Sequence, residues 1–361
     1  MTDTKDRAHL RQELLRRRLA GRAAPAPAEG ITRAPRGGPL PLSFAQRRLW
    51  ILDRLQPGGT EYLMTVALRL RGPLDRTALR TALDGILHRH EVLRTRYPVA
   101  DGEPVQIVDE PGSVPLDEED LGALDRAAAD ARIAALATGA RRPVDLAEGP
   151  VFSAVLARLD QREHVLLLTV HHIACDGRSE DVLVRELAER YEDALAGRPP
   201  RSPEPPVQYA DFALWQRERL SGAALRRPLD HWRERLAGLP PLELPTDRPR
   251  PAVRDAAGGL APLAVPAGTA RRLTALARQH GATPFMALLA AHAVLLGRWS
   301  GRRDVAVGFP VAGRDRAQLQ DLVGLFLNTL VLRVDLSGAP SLGGRGGAGR
   351  PPRPPPPPPP H

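Results

Sequence analysis

Two adjacent histidines, His171 and His172, close the apolar run HVLLLTV, and Asp176 and Gly177 follow shortly after the second ring. An imidazole titrates near neutrality, at about 6.5 when unperturbed, so it is suited to take a proton from an attacking nucleophile or to orient it. A carboxylate four residues on can close the turn or fix an arginine. A glycine there permits close backbone approach and tight packing at a helix start. Side chains alternate faces along a strand, so the two rings cannot both enter one cleft: one does chemistry and the other packs.

Two other chemistries fit the same stretch less well. Zinc needs three or four convergent ligands, which adjacent histidines on opposite faces and the sole thiol, Cys175, do not supply. Cys175 as a nucleophile lacks an activating partner beyond the histidine pair.

The elements that must position these residues are legible around them. HVLLLTV is apolar almost throughout, as expected of a central strand covered on both faces. After Gly177 the period changes, and Leu183, Val184, Leu187, Tyr191 and Leu195 predict a helix that ends at Gly197, Pro199 and Pro200. Strand, polar turn and helix put the histidines at the carboxyl end of a strand, a usual place for a site.

Upstream, Ser43 is placed to cap a helix beginning at Phe44, and Val66, Leu68 and Leu70 alternate along a strand. Asp75 caps a second helix with an apolar stripe of Leu79, Ala82, Leu83 and Ile86. A hairpin turns at Asp101 and Gly102, and an Ala-rich helix runs near Asp125 to Thr138. The strand FSAVLARL then precedes HVLLLTV. The second half predicts helices at TARRLTALARQHG and from Pro284 to Arg298, then strands in DVAVGFPVAG and FLNTLVLRVDL.

Bulk properties bound the function. The 361 residues exceed one ordinary core, which stops growing near roughly 250 to 300 residues, so two lobes are expected. The formal charge of +9 is concentrated in the flanks: residues 1–40 carry nine Lys and Arg against four Asp and Glu, and residues 345–361 add three arginines. The middle is nearly neutral, which argues against a nucleic-acid groove. A single cysteine excludes an intrachain disulfide and suits a reducing cytoplasm. The longest apolar stretch, FMALLAAHAVLL, is shorter than the roughly 18 residues that span a bilayer, and no signal segment opens the chain; a soluble, cytoplasmic protein is expected.

Taken together, LSFAQRRLWIL, RHEVLRTRY, HHIACDG, VQYADFALWQ and LVGLFLNTLVLR stand in the order and approximate spacing of the core motifs of nonribosomal peptide synthetase condensation domains. The chain resembles that family from about Leu42 to Leu336, and HHIACDG fits its HHxxxDG signature, shared with chloramphenicol-acetyltransferase-like acyltransferases. The resemblance implies an α/β fold of mixed sheets, two such lobes in a V with the site at their junction. It also implies amide formation: the amine of an acceptor on one carrier protein attacks a donor aminoacyl or peptidyl thioester on another, by weak resemblance joining two L-residues. No cofactor is bound directly; the 4'-phosphopantetheine arms belong to donor and acceptor peptidyl carrier proteins, which are the expected partners together with adenylation modules.

By the same resemblance His172 assists the amine, as general base or by orienting it and stabilising charge. His171 and Asp176 support it, and the Gly177 amide lies by the substrate. Asp176 is expected to pair with Arg314 or Arg94, between which the sequence does not choose. Ser43, Gln46, Arg47 and Trp50, with Tyr209, Asp211 and Trp215, are expected at interfaces or in packing. Asn328 belongs to the cleft-lining motif or makes a backbone hydrogen bond. Cys175 stands where serine is frequent, and Arg178 where tryptophan is, which bears on the channel wall.

The expected organisation is a basic helix and Pro/Ala linker in 1–40, either solvated or docking an upstream protein. An N-terminal lobe follows in 41–216, a partial second lobe in 217–336, and a Gly/Pro low-complexity tail in 337–361. The second lobe is short against the first, so uncovered sheet edges and apolar faces are expected, and the tail resembles an out-of-frame translation. Two competing functions are a free-standing acyltransferase of the same superfamily and a non-catalytic carrier-docking fragment.

Overall fold

The strand that leads into the histidine pair is buried along almost its whole length. In a computed structural model, which describes residues 30–139, 142–249 and 261–338, every residue from His164 to His171 is buried. Of the basic helix and linker expected in 1–40, residues 1–29 lie outside the described residues, as does the expected tail of 337–361 from residue 339 onward.

Along the chain come β1 (Leu40–Pro41), α1 (Phe44–Leu55), β2 (Leu63–Arg71), α2 (Arg76–Arg89), β3 (Thr95–Arg96), β4 (Val99–Ala100), β5 (Glu103–Val108) and β6 (Leu116–Asp120). Then follow α3 (Arg126–Gly139), β7 (Phe152–Arg158), β8 (Glu163–His171), α4 (Gly177–Leu195), α5 (Tyr209–Arg219) and α6 (Gly222–Leu236). The described residues end with α7 (Ala267–Gln279), α8 (Pro284–Ser300), β9 (Asp304–Val311) and β10 (Asn328–Asp335).

The main sheet has the order β2-β8-β7-β6, with β6 parallel to β7 and the other pairs antiparallel. The expectation of a mixed-sheet α/β fold with a central histidine strand holds. One face of β8, with Leu166, Leu168 and Val170, joins the main core against Leu79, Leu83 and Ile86 of α2 and Val182 and Leu183 of α4. The other, with Val165 and Leu167, packs against Ile133 and Leu136 of α3. Double coverage explains why the run has no polar alternation. On β2, one place further out, alternation returns: Val66, Leu68 and Leu70 are half-buried while Ala67, Arg69 and Arg71 are exposed.

Local signals set the ends of these elements. Ser43 and Gln46 form a reciprocal capping box at α1, and Asp75 Oδ1 accepts from the Ala78 amide at the start of α2. Asp101 and Gly102 take positive φ of 51° and 80°, the geometry of the hairpin turn between β4 and β5.

Helices α2 and α4, which brace the histidine strand, are joined by a buried ion pair. Glu186 lies 3.1 Å from Arg89 Nε and 2.9 Å from His90 Nε2. Burial opposes the Glu186 charge, yet the hydrogen bond from His90 and the charge and hydrogen bond of Arg89 hold its pKa below the ordinary range. Burial drives His90 below its usual value, so Arg89 is the cation of this group.

In the second half β9 and β10 form an antiparallel pair running from Asn328 opposite Val311 to Asp335 opposite Asp304. Ala293 of α8 packs with Val305, Val307 and Val334 in a small core. Phe285, Leu288, Leu295 and Trp299 of the same helix are exposed. Among the described residues no single helix is long and apolar enough to cross a membrane.

Candidate active site

Strand β8 pairs with β2 up to His171 opposite Leu63, and one more hydrogen bond, from the His172 amide to the Tyr62 carbonyl at 2.7 Å, carries the ladder past the strand end. The chain then turns sharply: the Ala174 amide donates to His171 O at 2.9 Å and the Cys175 amide to His172 O at 3.3 Å. The two rings part company there, His171 buried and His172 only partly so.

The ring nitrogens have distinct partners. His172 Nδ1 lies 2.5 Å from the Cys175 carbonyl oxygen, which can only accept, so Nδ1 carries the proton and Nε2 keeps its lone pair. His171 Nδ1 accepts from the Ile173 amide at 3.1 Å. Burial, with His172 alongside, pushes His171 down to about 4, so it stays neutral near pH 7. Cys175 is fully buried, and burial pushes its thiol far above the ordinary range, which removes it as a nucleophile.

Asp176 is the N-cap of α4 and is saturated with donors. Its Oδ1 accepts from the Ser179 amide at 2.9 Å, the Ser179 hydroxyl at 2.8 Å and Arg314 Nη2 at 2.9 Å, while Oδ2 accepts from the Phe326 amide at 3.0 Å. Arg314 also donates through Nη1 to the carbonyls of Leu319 and Leu322 at 2.8 and 2.5 Å, and its guanidinium lies 4.2 Å from the Phe326 ring centre. Geometry thus selects Arg314. Arg94, the other candidate, is corrected: its guanidinium donates to the Asp109 carbonyl beside the β3–β5 ladder, and the donors to Asp176 come from Ser179, Arg314 and Phe326. The tight packing expected at Gly177 is also corrected. As the first residue of α4 it is exposed, has no positive φ, and meets nothing within 4 Å where a Cβ would stand.

Ser179 and Gly324, which the sequence did not single out, carry this arrangement together with Tyr209, Ser43 and Gln46, which were expected in packing. Besides its bonds to Asp176 and Arg314, the Ser179 hydroxyl accepts from the Gly324 amide at 3.0 Å and lies 2.9 Å from the Gly324 carbonyl. Gly324 has no room for a Cβ, which would lie 2.0 Å from Tyr209 Cδ2. Tyr209, kept protonated by burial, donates to the Leu325 carbonyl at 2.6 Å and meets the Ser43 hydroxyl at 2.8 Å. Gln46 Nε2 is 3.2 Å from Tyr97 Oη and from Gln106 Oε1, and 3.5 Å from the Ile173 carbonyl. The one available signal was the DGxS spacing, since an N-cap aspartate and a serine at the third helical position meet through the first turn.

The remaining candidates lie further out. Arg47 is half-buried and pairs with Glu103 at 2.9 Å. Trp50 Nε1 donates to the Tyr97 carbonyl at 3.0 Å, and Asp211 caps α5 while pairing with Arg36 at 2.7 Å. Asn328 is exposed at the start of β10 and, with Phe44, Arg48, Phe212 and Leu327, lines a cavity of about 270 Å³. Arg178 is exposed, 3.7 Å from Asp181.

Five separated sequence segments therefore converge on the turn after β8. Comparison with known proteins places this arrangement. The family profile of the condensation domain matches residues 37–344. The chain belongs to the condensation domain family. It is 45% identical over 333 residues to phosphinothricin tripeptide synthetase PhsC of Streptomyces viridochromogenes, covering 91% of this chain and 31% of that protein. It is also 46% identical over 321 residues to the isonitrile lipopeptide synthase of Mycobacterium tuberculosis, covering 86% of this chain and 13% of that one. This condensation domain thus spans about a third or less of the length of those relatives.

Among solved structures the X-domain from teicoplanin biosynthesis superposes with a TM-score of 0.77 at 33% identity, covering 86% of this chain and 69% of that one. The first condensation domain of the calcium-dependent antibiotic synthetase, bound to a substrate analogue, superposes with a TM-score of 0.69 at 25% identity, covering 83% and 69%.

Proposed function

We propose that this condensation domain forms an amide between a donor acyl thioester and the amine of an acceptor, both carried on phosphopantetheine arms of partner carrier proteins supplied with aminoacyl groups by adenylation modules. The observation that carries the reading is the His172 ring, fixed through Nδ1 to the Cys175 carbonyl, with Nε2 without a partner among the described residues, at the partly open end of a buried strand. An amine with pKa about 8 attacks only in its neutral form, and the tetrahedral adduct must lose a proton. His172 Nε2 is the base in place to receive it. Asp176 is spent on four donors and buried, so its role is to hold the turn and α4 rather than to relay a proton. The exposed Gly177 amide, at the first position of α4, is assigned to the thioester side of the site.

Residues 41–216 are read as the N-terminal lobe and 217–336 as part of the second, with Arg314, Gly324 and Phe326 bringing the second onto the site. The single buried cysteine agrees with work in the cytoplasm.

The test loads two carrier proteins with aminoacyl-phosphopantetheine and follows dipeptidyl-carrier by intact-protein mass spectrometry. Product from the native chain that disappears with His172→Ala supports the reading. Carrier binding without product in either chain favours a docking scaffold instead. That second reading has its own support in the X-domain, which has been solved in complex with OxyB and superposes with a TM-score of 0.78.

A further inference from the structure

The loop that carries Arg314 is fastened by a segment from the other end of the chain. Within the loop, Arg314 Nη1 donates to the carbonyls of Leu319 and Leu322, and Gln320 Nε2 donates to the Arg314 carbonyl. Arg314 Nη2 is then left to reach Asp176 and Ser179. The same loop contains the single helical turn Ala317–Leu319, from which Gln318 Nε2 donates to the Ile31 carbonyl at 3.3 Å.

Ile31 opens a strap, residues 31–36, that is itself well anchored. Ile31 is 3% exposed and belongs to the main core together with Leu319, Leu322 and Val323 of the loop. Arg33 donates to the carbonyls of Pro206 and Pro205 at 3.2 and 2.6 Å, and the Ala34 amide donates to Asp211 at 2.8 Å. Arg36 pairs with Glu91 and with the buried Asp211, each at 2.7 Å. The strap thus joins the first half to the Arg314 loop. A second attachment of the loop is weaker: Asp321 lies 2.8 Å from Arg185 of α4, but both side chains are largely exposed, and such pairs add little. A cavity of about 320 Å³, lined by Arg185, Glu189, Pro205, Gln318 and Asp321, lies between the loop and this part of α4, so packing does not press the two together there.

We propose that the strap, through Ile31 and Gln318, is a positioning element that keeps the Arg314 loop seated on Asp176 and so fixes the turn that aims His172. Its effect on turnover rests on the reading that His172 handles the amine's proton; its effect on the loop does not. The bond from Gln318 sets where the turn Ala317–Leu319 sits. A shift of that turn moves the Leu319 carbonyl, one of the two that orient Arg314 within its loop. With Arg314 drawn away, Asp176 is a buried carboxylate without its cation, and the start of α4 loosens with it.

Hydrogen exchange of the full chain, followed by mass spectrometry, reads the loop (314–327) and the histidine turn (172–180) separately from the rest. Gln318→Ala should raise exchange in both segments roughly threefold to tenfold, the range for one hydrogen bond, and Ile31→Ala should raise it further. Ile31→Val should stay close to native. Ile133→Ala, which loosens the small core under α3 and touches no part of the strap, should not single out these two segments. In the dipeptide assay Gln318→Ala should lower kcat severalfold with KM for the loaded carriers unchanged, because a misplaced base slows the chemistry and not the docking. Gln318→Ala, at a half-buried position, keeps the test decisive if Ile31→Ala does not fold. Native exchange in both segments of Gln318→Ala overturns the proposal, and so does faster exchange with kcat unmoved. Faster exchange in these segments while no chain, native included, forms dipeptide supports the strap and sinks the condensation reading instead.

Discussion

Asp176 and Arg314 stand 138 residues apart in the chain, yet Oδ1 of one lies 2.9 Å from Nη2 of the other, with each side chain 2% exposed. Their contact ties the start of α4 to the loop between β9 and β10, so the turn holding His172 depends on residues of both halves. A desolvated pair adds little net stability when intact, but removing one partner strands a buried charge. Arg314→Ala should therefore cost about 3 to 5 kcal/mol in chemical denaturation. An unchanged denaturation midpoint would show that the two halves are held together elsewhere.

Gly324 and Tyr209 make a second tie between the halves. A Cβ at 324 would stand 2.0 Å from Tyr209 Cδ2, so Gly324→Ala must displace the ring and break its bonds to Ser43 and Leu325. Tyr209→Phe keeps the ring and loses only the hydroxyl, leaving buried acceptors unpaired at a cost of about 1 to 3 kcal/mol. Thermal melts of both variants should rank Gly324→Ala as the more damaging. The reverse order would mean that the loop relaxes easily.

His171 gives the fold an acid sensitivity. Its folded pKa of about 4 lies below the unfolded value near 6.5, so between those values the unfolded chain binds more protons. The stability contributed by the neutral buried ring is fully present above about 6.5 and is lost as pH falls toward 4. His90 and His164, also lowered chiefly by burial, act in the same sense. Unfolding free energy should decline from pH 6.5 to 4, and His171→Asn should flatten that decline. A native slope retained in the variant would place the sensitivity in the other two histidines.

Cys175 should be silent. Its side chain is buried and its thiol is pushed up by that burial, so alkylating reagents should label it only after unfolding. Cys175→Ala should retain dipeptide formation to within a few-fold. Rapid labelling of the native chain, or loss of turnover in the variant, would restore the thiol as a candidate.

Much of the fold was legible from local patterns. The apolar run HVLLLTV implied a doubly covered strand, and the change of period after Gly177 implied α4, because burial on two faces or on one stripe leaves its trace in neighbouring residues. His172 was legible as a candidate as well, since a histidine pair at a strand end and an aspartate four residues on are contiguous features. Gly177 misled because a glycine beside a motif suggests crowding. Crowding is found instead at Gly324, in a loop whose sequence gives no sign of the Tyr209 ring across it.

What the sequence by itself determined was the local framework: the strand, the turn, the capping Asp176 and the histidine that emerges from them, all set by hydrogen bonds and periodicities spanning a few residues. Only the tertiary structure decided between Arg314 and Arg94, freed His172 Nε2 by fixing Nδ1, and enclosed Asp176 with Ser179 and Phe326. Those choices depend on which distant surfaces pack together, and burial then makes each unpaired donor or charge costly enough to enforce one arrangement.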